Sequence, residues 1–446
     1  MAPHARFRYR SADGLRAEAG RLGLDVPFSD DVSVLLDKFS LGERDVPNRL
    51  AALPMEGADA EASGAPSEST RRRYRRYASG GSGLIWCEAA AVRTDGRSNP
   101  SQLMLTEGTL GGFARLVEET RAAATRAWGP GHAPLLVLQL THSGRFAKPD
   151  GEPRPIIVQN NPHLDPLHDL PSDTPLVSDD ELAAIRDDFV EAADLALSAG
   201  FDGVDVKACH GYLVSETLAA HSREDSRYGG PFENRTRLLL EIVRHIREEA
   251  PRLLVTTRLS ATDLVPFPYG FGMDPDEPER MDLAEPKVLL GLLARAGVRF
   301  IAPSLGIPAW KPHFGRPFDR PVPGGDVPAE HPLEGVARHL RVAAELQTSA
   351  PGVAVVGAGY SWLRTLGPGV GAAMVGAGRS AAVGLGRGAL ANPDFAADLI
   401  RRGRLDARKV CTTCSLCSYL LRRQRHVGCV VRDPEYKAAA SERRNA

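Results

Sequence analysis

Short apolar runs alternate with longer amphipathic segments along most of this chain. The apolar runs have the length of buried strands and lie at 50–53, 82–88, 134–140, 203–206, 253–259, 298–303, 353–357 and 381–386. Strands that alternate with helices predict an α/β protein built around a parallel sheet. Eight such strands fit a closed (β/α)8 TIM barrel better than an open doubly wound sheet.

The clearest strand–helix unit lies in the middle of the chain. Ser178 and Glu181 are spaced as a capping box, and the amphipathic helix that they begin ends at Gly200. A short apolar run at 203–206 predicts the next strand, and a second helix is predicted from about Glu233. This succession is the repeating unit of a parallel sheet.

The chain has 446 residues, which exceeds the roughly 250 residues of an undecorated barrel. A helix is predicted over 11–22, before the first strand. We therefore expect three parts: an N-terminal extension over 1–38, the barrel over 39–405 and a cysteine-rich C-terminal segment over 406–446.

The segment 355–359 resembles the start of a dinucleotide-binding fingerprint, because glycines follow a predicted strand. The third glycine of that fingerprint is missing, since Trp362 occupies its position. No acidic residue stands at 377–379, where a second strand should deliver one to the ribose. These departures argue against a Rossmann fold.

Charge and hydropathy exclude several classes of partner. The chain carries 55 basic and 56 acidic residues, so no net charge favours nucleic acid or an anionic membrane. The first 20 residues lack the apolar stretch of a secretion signal, and no run approaches the roughly 18 apolar residues of a membrane span. We therefore expect a cytoplasmic protein that binds neither nucleic acid nor membrane.

Polar residues and glycines stand where several predicted strands end. In a TIM barrel these ends gather on one face, which is where active sites lie. Gly357 and Gly386 close the last two strands, and bare backbone amides there allow an anion to approach closely. A buried amide at Gln139 and an arginine at Arg258 complete a set that would suit flavin mononucleotide (FMN).

Several of these motifs, in order, resemble the old yellow enzyme and 2,4-dienoyl-CoA reductase family of FMN-dependent barrels. The similarity runs from about Phe39 to Asp433 and rests on segments at 48–55, 83–92, 138–145, 199–213 and 228–235. The longest of them reads AGFDGVDVKACHGYL and is continued by YGGPFENR. The resemblance implies a TIM barrel that binds FMN.

The resemblance also implies individual roles. Pro54, Met55 and Ala89 would line the flavin ring, and Gln139 would hydrogen-bond its pyrimidine edge. Arg258 would stabilise negative charge near flavin N1. The phosphate would bind Gly357, Gly386 and Arg387. On the substrate side, Lys207 and His210 would polarise a carbonyl oxygen of the substrate. Tyr212 would be the proton donor.

Two positions depart from the family pattern. Lys207 stands where the family has a histidine, and only seven of the 55 basic residues are lysines. It keeps a hydrogen-bond donor and adds charge, which would favour a more acidic or more anionic substrate. Glu56 replaces a small hydroxyl or thiol residue, so its protonation state would affect the redox potential of the flavin.

Simpler interpretations remain open for each of these residues. Lys207 could pair with Glu88 or Asp205, His210 could be a satisfied core histidine, and Tyr212 could be loop packing. Gln139 and Arg258 could be a core polar group and a surface ion pair, and the glycines could be plain turns. The ordered set favours the functional interpretation over these.

The C-terminal segment carries four clustered cysteines, Cys411, Cys414, Cys417 and Cys429. In a reducing compartment such clustering indicates metal ligation before disulfides. Three ligands in one loop plus one remote ligand are typical of a [4Fe–4S] cluster. The 2,4-dienoyl-CoA reductase branch of the family has one more residue between its second and third cysteines, so zinc stays the alternative. Seventeen residues follow Cys429, so we expect an external electron donor, either NAD(P)H or a redox protein.

We therefore predict an FMN-dependent NAD(P)H:flavin oxidoreductase of the ene-reductase kind. It would reduce an activated C=C bond of a small-molecule substrate, or run the reverse dehydrogenation, with hydride from flavin N5 and a proton from Tyr212. Two alternatives stay open: a Schiff-base lyase that uses Lys207 as nucleophile, and a non-catalytic flavin-binding relative. The oligomeric state is not determined by the sequence, and a homo-oligomer stays open.

Overall fold

Eight parallel strands close into a barrel in the computed structural model, which describes residues 3–441. The strands are β1 (Leu50–Ala52), β2 (Leu84–Ala91), β3 (Leu135–Thr141), β4 (Gly203–Val206), β5 (Leu254–Thr262), β6 (Phe300–Leu305), β7 (Ala354–Gly357) and β8 (Ala382–Leu385). Each strand pairs with the next, and β8 pairs with β1, so the sheet has no edge. The predicted TIM barrel is confirmed, and the Rossmann sheet is excluded.

Each observed strand overlaps one of the predicted apolar runs. Both faces of every strand are covered, one by the barrel interior and one by the helices, so most strand positions are buried and apolar. The exception is β5, whose sequence LVTTRLSAT contains five polar residues. The largest difference is in β2 and β5, which extend about three residues further than predicted. In β2 the ladder with β3 shifts register between Cys87 and Ala89, so Glu88 forms a bulge and the pairing resumes beyond it.

Helices surround the barrel and connect its strands. Those of at least seven residues are Ala12–Arg21, Glu68–Ser79, Leu110–Trp128, Asp179–Ser198, Arg237–Glu249, Ala284–Arg295, Pro332–Ser349, Gly367–Gly376, Phe395–Arg402, Leu416–Arg422 and Pro434–Ser441. Shorter helical segments are Leu213–Leu218, Phe232–Arg235, Pro312–Gly315 and Arg387–Ala391. None of the helices within residues 3–441 combines the length and the apolarity that crossing a membrane requires.

One of the two bonds of the predicted capping box at Ser178 is present. The Ser178 hydroxyl accepts a hydrogen bond from the Glu181 amide at 3.1 Å, whereas the Glu181 carboxylate pairs with Arg93. Ser11, for which no cap was predicted, caps the N-terminal helix with its hydroxyl. The helix predicted from about Glu233 is divided, because a short turn of helix ends at Arg235 before the longer helix begins at Arg237.

A β-hairpin closes the bottom of the barrel, at the N-terminal ends of the strands. Its strands, Phe39–Leu41 and Arg44–Val46, insert Leu41 and Val46 into the cluster that fills the barrel interior. In the same cluster Trp86 and Phe300 pack edge to face, with 5.6 Å between the ring centroids. The hairpin therefore covers the barrel interior at this end, and the C-terminal ends of the strands are left for the site described below.

Candidate active site

A cavity of about 350 Å³ opens at the C-terminal ends of the strands. This volume lies within the range of small-molecule sites, roughly 300 to 1,000 Å³. All but one of the predicted catalytic and cofactor residues line it: Pro54, Met55, Glu56, Ala89, Gln139, Lys207, His210, Tyr212, Arg258, Gly386 and Arg387. The barrel therefore gathers side chains that lie more than 300 residues apart in the sequence.

Gly357 is the predicted residue that does not line the cavity. Its neighbours Ala358 and Gly359 do, at the end of β7. Gly359 has a φ of 93°, a conformation that side chains rarely adopt, so glycine allows the backbone to turn here. At Gly386 an added Cβ would lie 3.0 Å from Met55 Sδ, so a side chain would narrow the cavity at this point.

Beneath the cavity, Asp205 organises the residues of three strands. Its carboxylate accepts hydrogen bonds from Gln139 Nε2 at 2.5 Å, from Trp86 Nε1 at 2.8 Å and from the Arg258 backbone amide at 2.6 Å. Burial raises the pKa of Asp205 to about 6, although these donors oppose the shift. Asp205 thus fixes the orientation of Gln139 at the cavity floor.

Arg258 reaches from β5 toward the loop that follows β1. One of its terminal nitrogens donates to the Pro54 carbonyl oxygen at 3.3 Å. Its Nε is buried and has no hydrogen-bond partner among the described residues. A buried guanidinium donor without a partner is costly, so it is poised for a ligand acceptor.

Glu56 is a partly buried carboxylate on the cavity wall. Its Oε1 accepts hydrogen bonds from the Ser98 hydroxyl and from Asn99 Nδ2, the latter at 2.6 Å. Burial raises its pKa, while the nearby positive charge of Lys207 and the two donors act in the opposite direction. Ser98 and Asn99, in the loop after β2, therefore hold the Glu56 side chain in one position.

Lys207 projects from the end of β4 over the face of Tyr212, with its ammonium nitrogen 3.3 Å from the ring centroid. Lys207 makes no ion pair with any residue that the structure describes; Glu88 instead pairs with Arg73, and Asp205 with the donors named above. Burial lowers the pKa of Lys207 to about 8. The ammonium is therefore within reach of a ligand in the cavity.

Tyr212 and His210 lie in the loop after β4. Burial raises the pKa of Tyr212 well above its usual value, with the Glu56 charge adding to the effect, so its hydroxyl stays protonated. Burial and the charges of Arg258 and Lys207 lower the pKa of His210 well below its usual value, so the ring stays neutral. Both side chains can donate a hydrogen bond, and the tyrosine can give up a proton.

Sequence reasoning missed several residues of the cavity wall. They are Ser98, Asn99, Lys148, His168 and Arg316 from the barrel loops, and Ser418, Leu421, Arg422 and Gln424 from the C-terminal segment. The predicted site considered strand ends, whereas these residues come from long connections. The resemblance reached beyond Cys429, which was a signal that the C-terminal segment lies against the barrel.

The four predicted metal ligands all belong to the C-terminal segment. Cys411, Cys414, Cys417 and Cys429 form no disulfide, and all are partly buried. The Thr413 amide donates to Cys411 Sγ at 3.3 Å, and the loop between the first three cysteines passes twice through left-handed backbone, at Thr413 and Ser415. Four thiols suit an iron–sulfur cluster or zinc in their chemistry, but within residues 3–441 no group of three or more His, Cys, Asp or Glu side chains is gathered to hold a metal ion.

The residues present fit FMN. Arg258 Nε and Arg387 Nη1 are buried donors without partners in the described part of the chain, and both belong to the cavity. The glycines at the ends of β7 and β8 leave backbone close to the same space. Arg258 beside the apolar wall at Pro54 and Met55, and Arg387 after β8, provide unsatisfied cationic donors at two places in the cavity, which suits a flat ring that carries an anion.

These features define a barrel enzyme with a cofactor-sized site at the mouth. A family model for the NADH:flavin oxidoreductase / NADH oxidase family matches residues 35–273, more than half of the chain. The chain therefore belongs to this family. The resemblance found in the sequence is confirmed.

Curated relatives match part of the chain. An NADH:flavin oxidoreductase of Gibberella zeae is 30% identical over 247 residues, which are 51% of this chain and 56% of the relative. An NADPH dehydrogenase of Bacillus pumilus is 35% identical over 196 residues, which are 43% of this chain and 52% of the relative. The chain thus spans about half the length of these relatives.

Solved structures share the fold over most of the chain. A complex of 2-naphthoyl-CoA reductase with 2-naphthoyl-CoA has a TM-score of 0.72 at 19% identity and covers 91% of this chain and 59% of its own. Morphinone reductase in complex with tetrahydroNAD has a TM-score of 0.59 at 22% identity, with 83% and 90% covered. At these identities the likeness establishes the barrel alone.

Proposed function

We propose that this chain is an FMN-dependent oxidoreductase that reduces an activated C=C bond, or catalyses the reverse dehydrogenation. The observation that carries the proposal is one cavity in which unpaired cationic donors, Arg258 and Arg387, lie together with a proton donor, Tyr212. Family membership supports the same function. The electron donor is external, NAD(P)H or a redox protein.

The residues of the cavity would have different roles in binding FMN. Pro54, Met55 and Ala89 would contact the ring of FMN, and Gln139 would hydrogen-bond it. Arg258 would place a fixed positive charge against the ring, which stabilises negative charge there. When bound, FMN supplies the hydride that an activated alkene accepts. Arg387, Gly386 and the backbone at the end of β7 would hold the phosphate.

On the substrate side, Lys207 and His210 would donate hydrogen bonds to a carbonyl oxygen. Two donors on one oxygen polarise the conjugated alkene and stabilise the charge that develops during the reaction. Tyr212 would deliver the proton, because its raised pKa keeps the hydroxyl protonated at neutral pH. The Phe146 ring packs against the Tyr212 ring, with 5.7 Å between the centroids, and helps to position it.

The first test uses the protein purified without air. We expect a yellow protein that releases FMN on denaturation, and whose bound flavin is bleached by NADH, NADPH or dithionite and recovers its colour on addition of 2-cyclohexenone. A colourless protein that takes up no flavin would refute the proposal. Borohydride trapping of a carbonyl compound on Lys207 in a flavin-free protein would instead favour the Schiff-base lyase.

We also propose that the four cysteines would hold a [4Fe–4S] cluster, which would supply electrons to the flavin site. The helix Leu416–Arg422 contains Cys417. Its residues Ser418, Leu421 and Arg422 lie in the cavity wall, so the cysteine segment adjoins the flavin site. Iron and acid-labile sulfide in a ratio near one, together with a broad visible absorption, would support this. One zinc and no iron would show a structural metal.

A further inference from the structure

Arg316 is a cavity residue for which neither the resemblance nor the proposed function provides a role. It follows the short helix Pro312–Gly315 in the connection after β6. One terminal nitrogen donates to the Ser418 hydroxyl, while its Nε is buried without a hydrogen-bond partner among the described residues. No carboxylate in residues 3–441 forms an ion pair with it. A buried cation without a counter-charge is costly, so its position requires an explanation.

Arg387 lies beside Arg316 and also lacks a counter-charge. Its Nη2 donates to the carbonyl oxygen of Pro317, the residue next to Arg316, at 2.7 Å. Its Nη1 is buried and unpartnered, and it too has no carboxylate partner in the described part of the chain. Burial, and then the positive charge of Arg387, lowers the pKa of Arg316. The two guanidinium groups therefore repel each other, and the nearby Cys417 thiol opposes their effect on the pKa of Arg316.

This juxtaposition stands out in a chain whose basic and acidic residues are almost equal in number. Two other buried arginines of the barrel have acids: Arg73 pairs with Asp59 and Glu88, and Arg145 pairs with Asp165 and Glu216. Arg97 is buried as a single cation, and its terminal nitrogens donate to backbone carbonyl oxygens. Arg316 and Arg387 differ from both cases, because two guanidinium groups lie side by side without a carboxylate partner. An anionic ligand would balance their charge.

We propose that Arg316 binds the phosphate of FMN together with Arg387, so that two guanidinium groups clamp one phosphate. The inference rests on the proposed function. A phosphate monoester carries about −1.5 to −2 charges near pH 7, which one arginine balances only in part. Guanidinium groups also match phosphate oxygens in pairs of hydrogen bonds. Gly359, Gly384 and Gly386 line the same cavity as the two arginines.

The clamp has a consequence for the C-terminal segment. Ser418 accepts the hydrogen bond of Arg316 and stands one residue after Cys417. Arg316 thus links the phosphate end of the cofactor site to the cysteine loop.

The test compares FMN with riboflavin, which has the same ring and no phosphate. Flavin-free protein is titrated with each, and the dissociation constant is measured from quenching of flavin fluorescence. We expect Arg316→Gln to weaken FMN binding about 10- to 100-fold, the effect of losing a charge-assisted hydrogen bond, and to leave riboflavin binding unchanged. Arg316→Lys, which keeps the charge and the fold, is expected to give a smaller loss for FMN only.

The matched control is Arg320→Gln, an exposed arginine in the same connection, which is expected to leave both constants unchanged. An Arg316→Gln variant that binds FMN normally, or that loses FMN and riboflavin equally, would overturn the inference and leave the proposed function intact. Loss of iron with normal FMN binding would also overturn it, because Arg316 would then serve the cysteine loop. A wild-type protein that binds neither flavin would overturn the proposed function itself.

Discussion

At the scale of single residues, the substrate side of the cavity is governed by one unusual cation. Lys207 is 5% exposed and lies over the Tyr212 ring near the Glu56 carboxylate. Its ammonium is the form that donates to a carbonyl oxygen and stabilises developing negative charge. The activity should therefore depend on the protonation state of this residue.

We predict a pH profile that reports Lys207. Burial lowers its pKa to about 8, so the cationic form prevails below that pH and is lost as the pH rises through it. The kcat/KM for 2-cyclohexenone should fall above about pH 8. Lys207→Arg, whose charge persists to higher pH, should shift the fall upward by more than one pH unit. The same fall at pH 8 in the arginine variant would assign the titration to another group.

Tyr212→Phe separates proton transfer from packing. Phenylalanine keeps the ring that contacts Phe146 and Lys207, and it removes only the hydroxyl. We expect flavin content and the rate of flavin reduction to stay at wild-type values, while turnover of the alkene drops by about 10² to 10⁴-fold, the usual contribution of a general acid. Stopped-flow absorbance measures the two half-reactions separately. Unchanged turnover would assign the proton to water or to another side chain.

At the scale of elements, the helix Glu68–Ser79 joins the flavin cavity to the cysteine segment. Arg73 bridges Asp59 and Glu88, and Glu88 in turn accepts the Gly57 amide in the loop after β1. From the same helix, Arg72 and Arg76 contact Asp433. Removing Arg73 would leave two buried carboxylates without their cation, so this connection is rigid.

Cys414→Ala tests how independent these elements are. We expect this variant to lose iron and its visible absorption while it keeps FMN, because the barrel supplies the cofactor contacts and the segment is attached by ion pairs that do not involve the thiol. Reduction of FMN by the natural donor should fail, while dithionite still reduces it. Metal and flavin analysis of the purified variant decide the matter. Loss of both cofactors together would show that the segment and the barrel fold as one unit.

The elements themselves were largely predictable, because their signals are local. Runs of apolar residues gave all eight strands within about three residues, and Ser178 with Glu181 gave the start of a helix. The contacts of the site are not local, because they depend on how distant connections fold over the barrel mouth. Examples are the bond from Gln139 to Asp205, the bond from Ser98 to Glu56 and the position of Arg316 in the cavity wall. Nothing in the neighbouring sequence encodes these pairings.

At the scale of the whole molecule, the closed barrel concentrates positive charge at one end. Arg258, Arg316 and Arg387 all line the cavity at the C-terminal ends of the strands, and none of them forms an ion pair with a carboxylate in the described part of the chain. The positive charge of Arg387 acts on the neighbouring Arg316, whereas the chain as a whole is close to neutral. The cofactor should therefore stabilise the fold as well as equip it for chemistry.

We predict that removal of FMN lowers the melting temperature by several degrees and that adding it back restores the original value. A ligand that binds only the folded state at 100 times its dissociation constant contributes about 2.7 kcal/mol to the free energy of unfolding. By the same relation, riboflavin at 100 times its own dissociation constant should contribute as much to the free energy of unfolding. Reaching that saturation should need a higher riboflavin concentration, because riboflavin has no phosphate to balance the charge of the arginines. Inorganic phosphate serves as the control: it should give a small stabilisation that vanishes in the presence of FMN, since both occupy the same cations. Differential scanning calorimetry measures all three, and a melting temperature that is indifferent to saturating FMN would contradict the placement of its phosphate among these arginines.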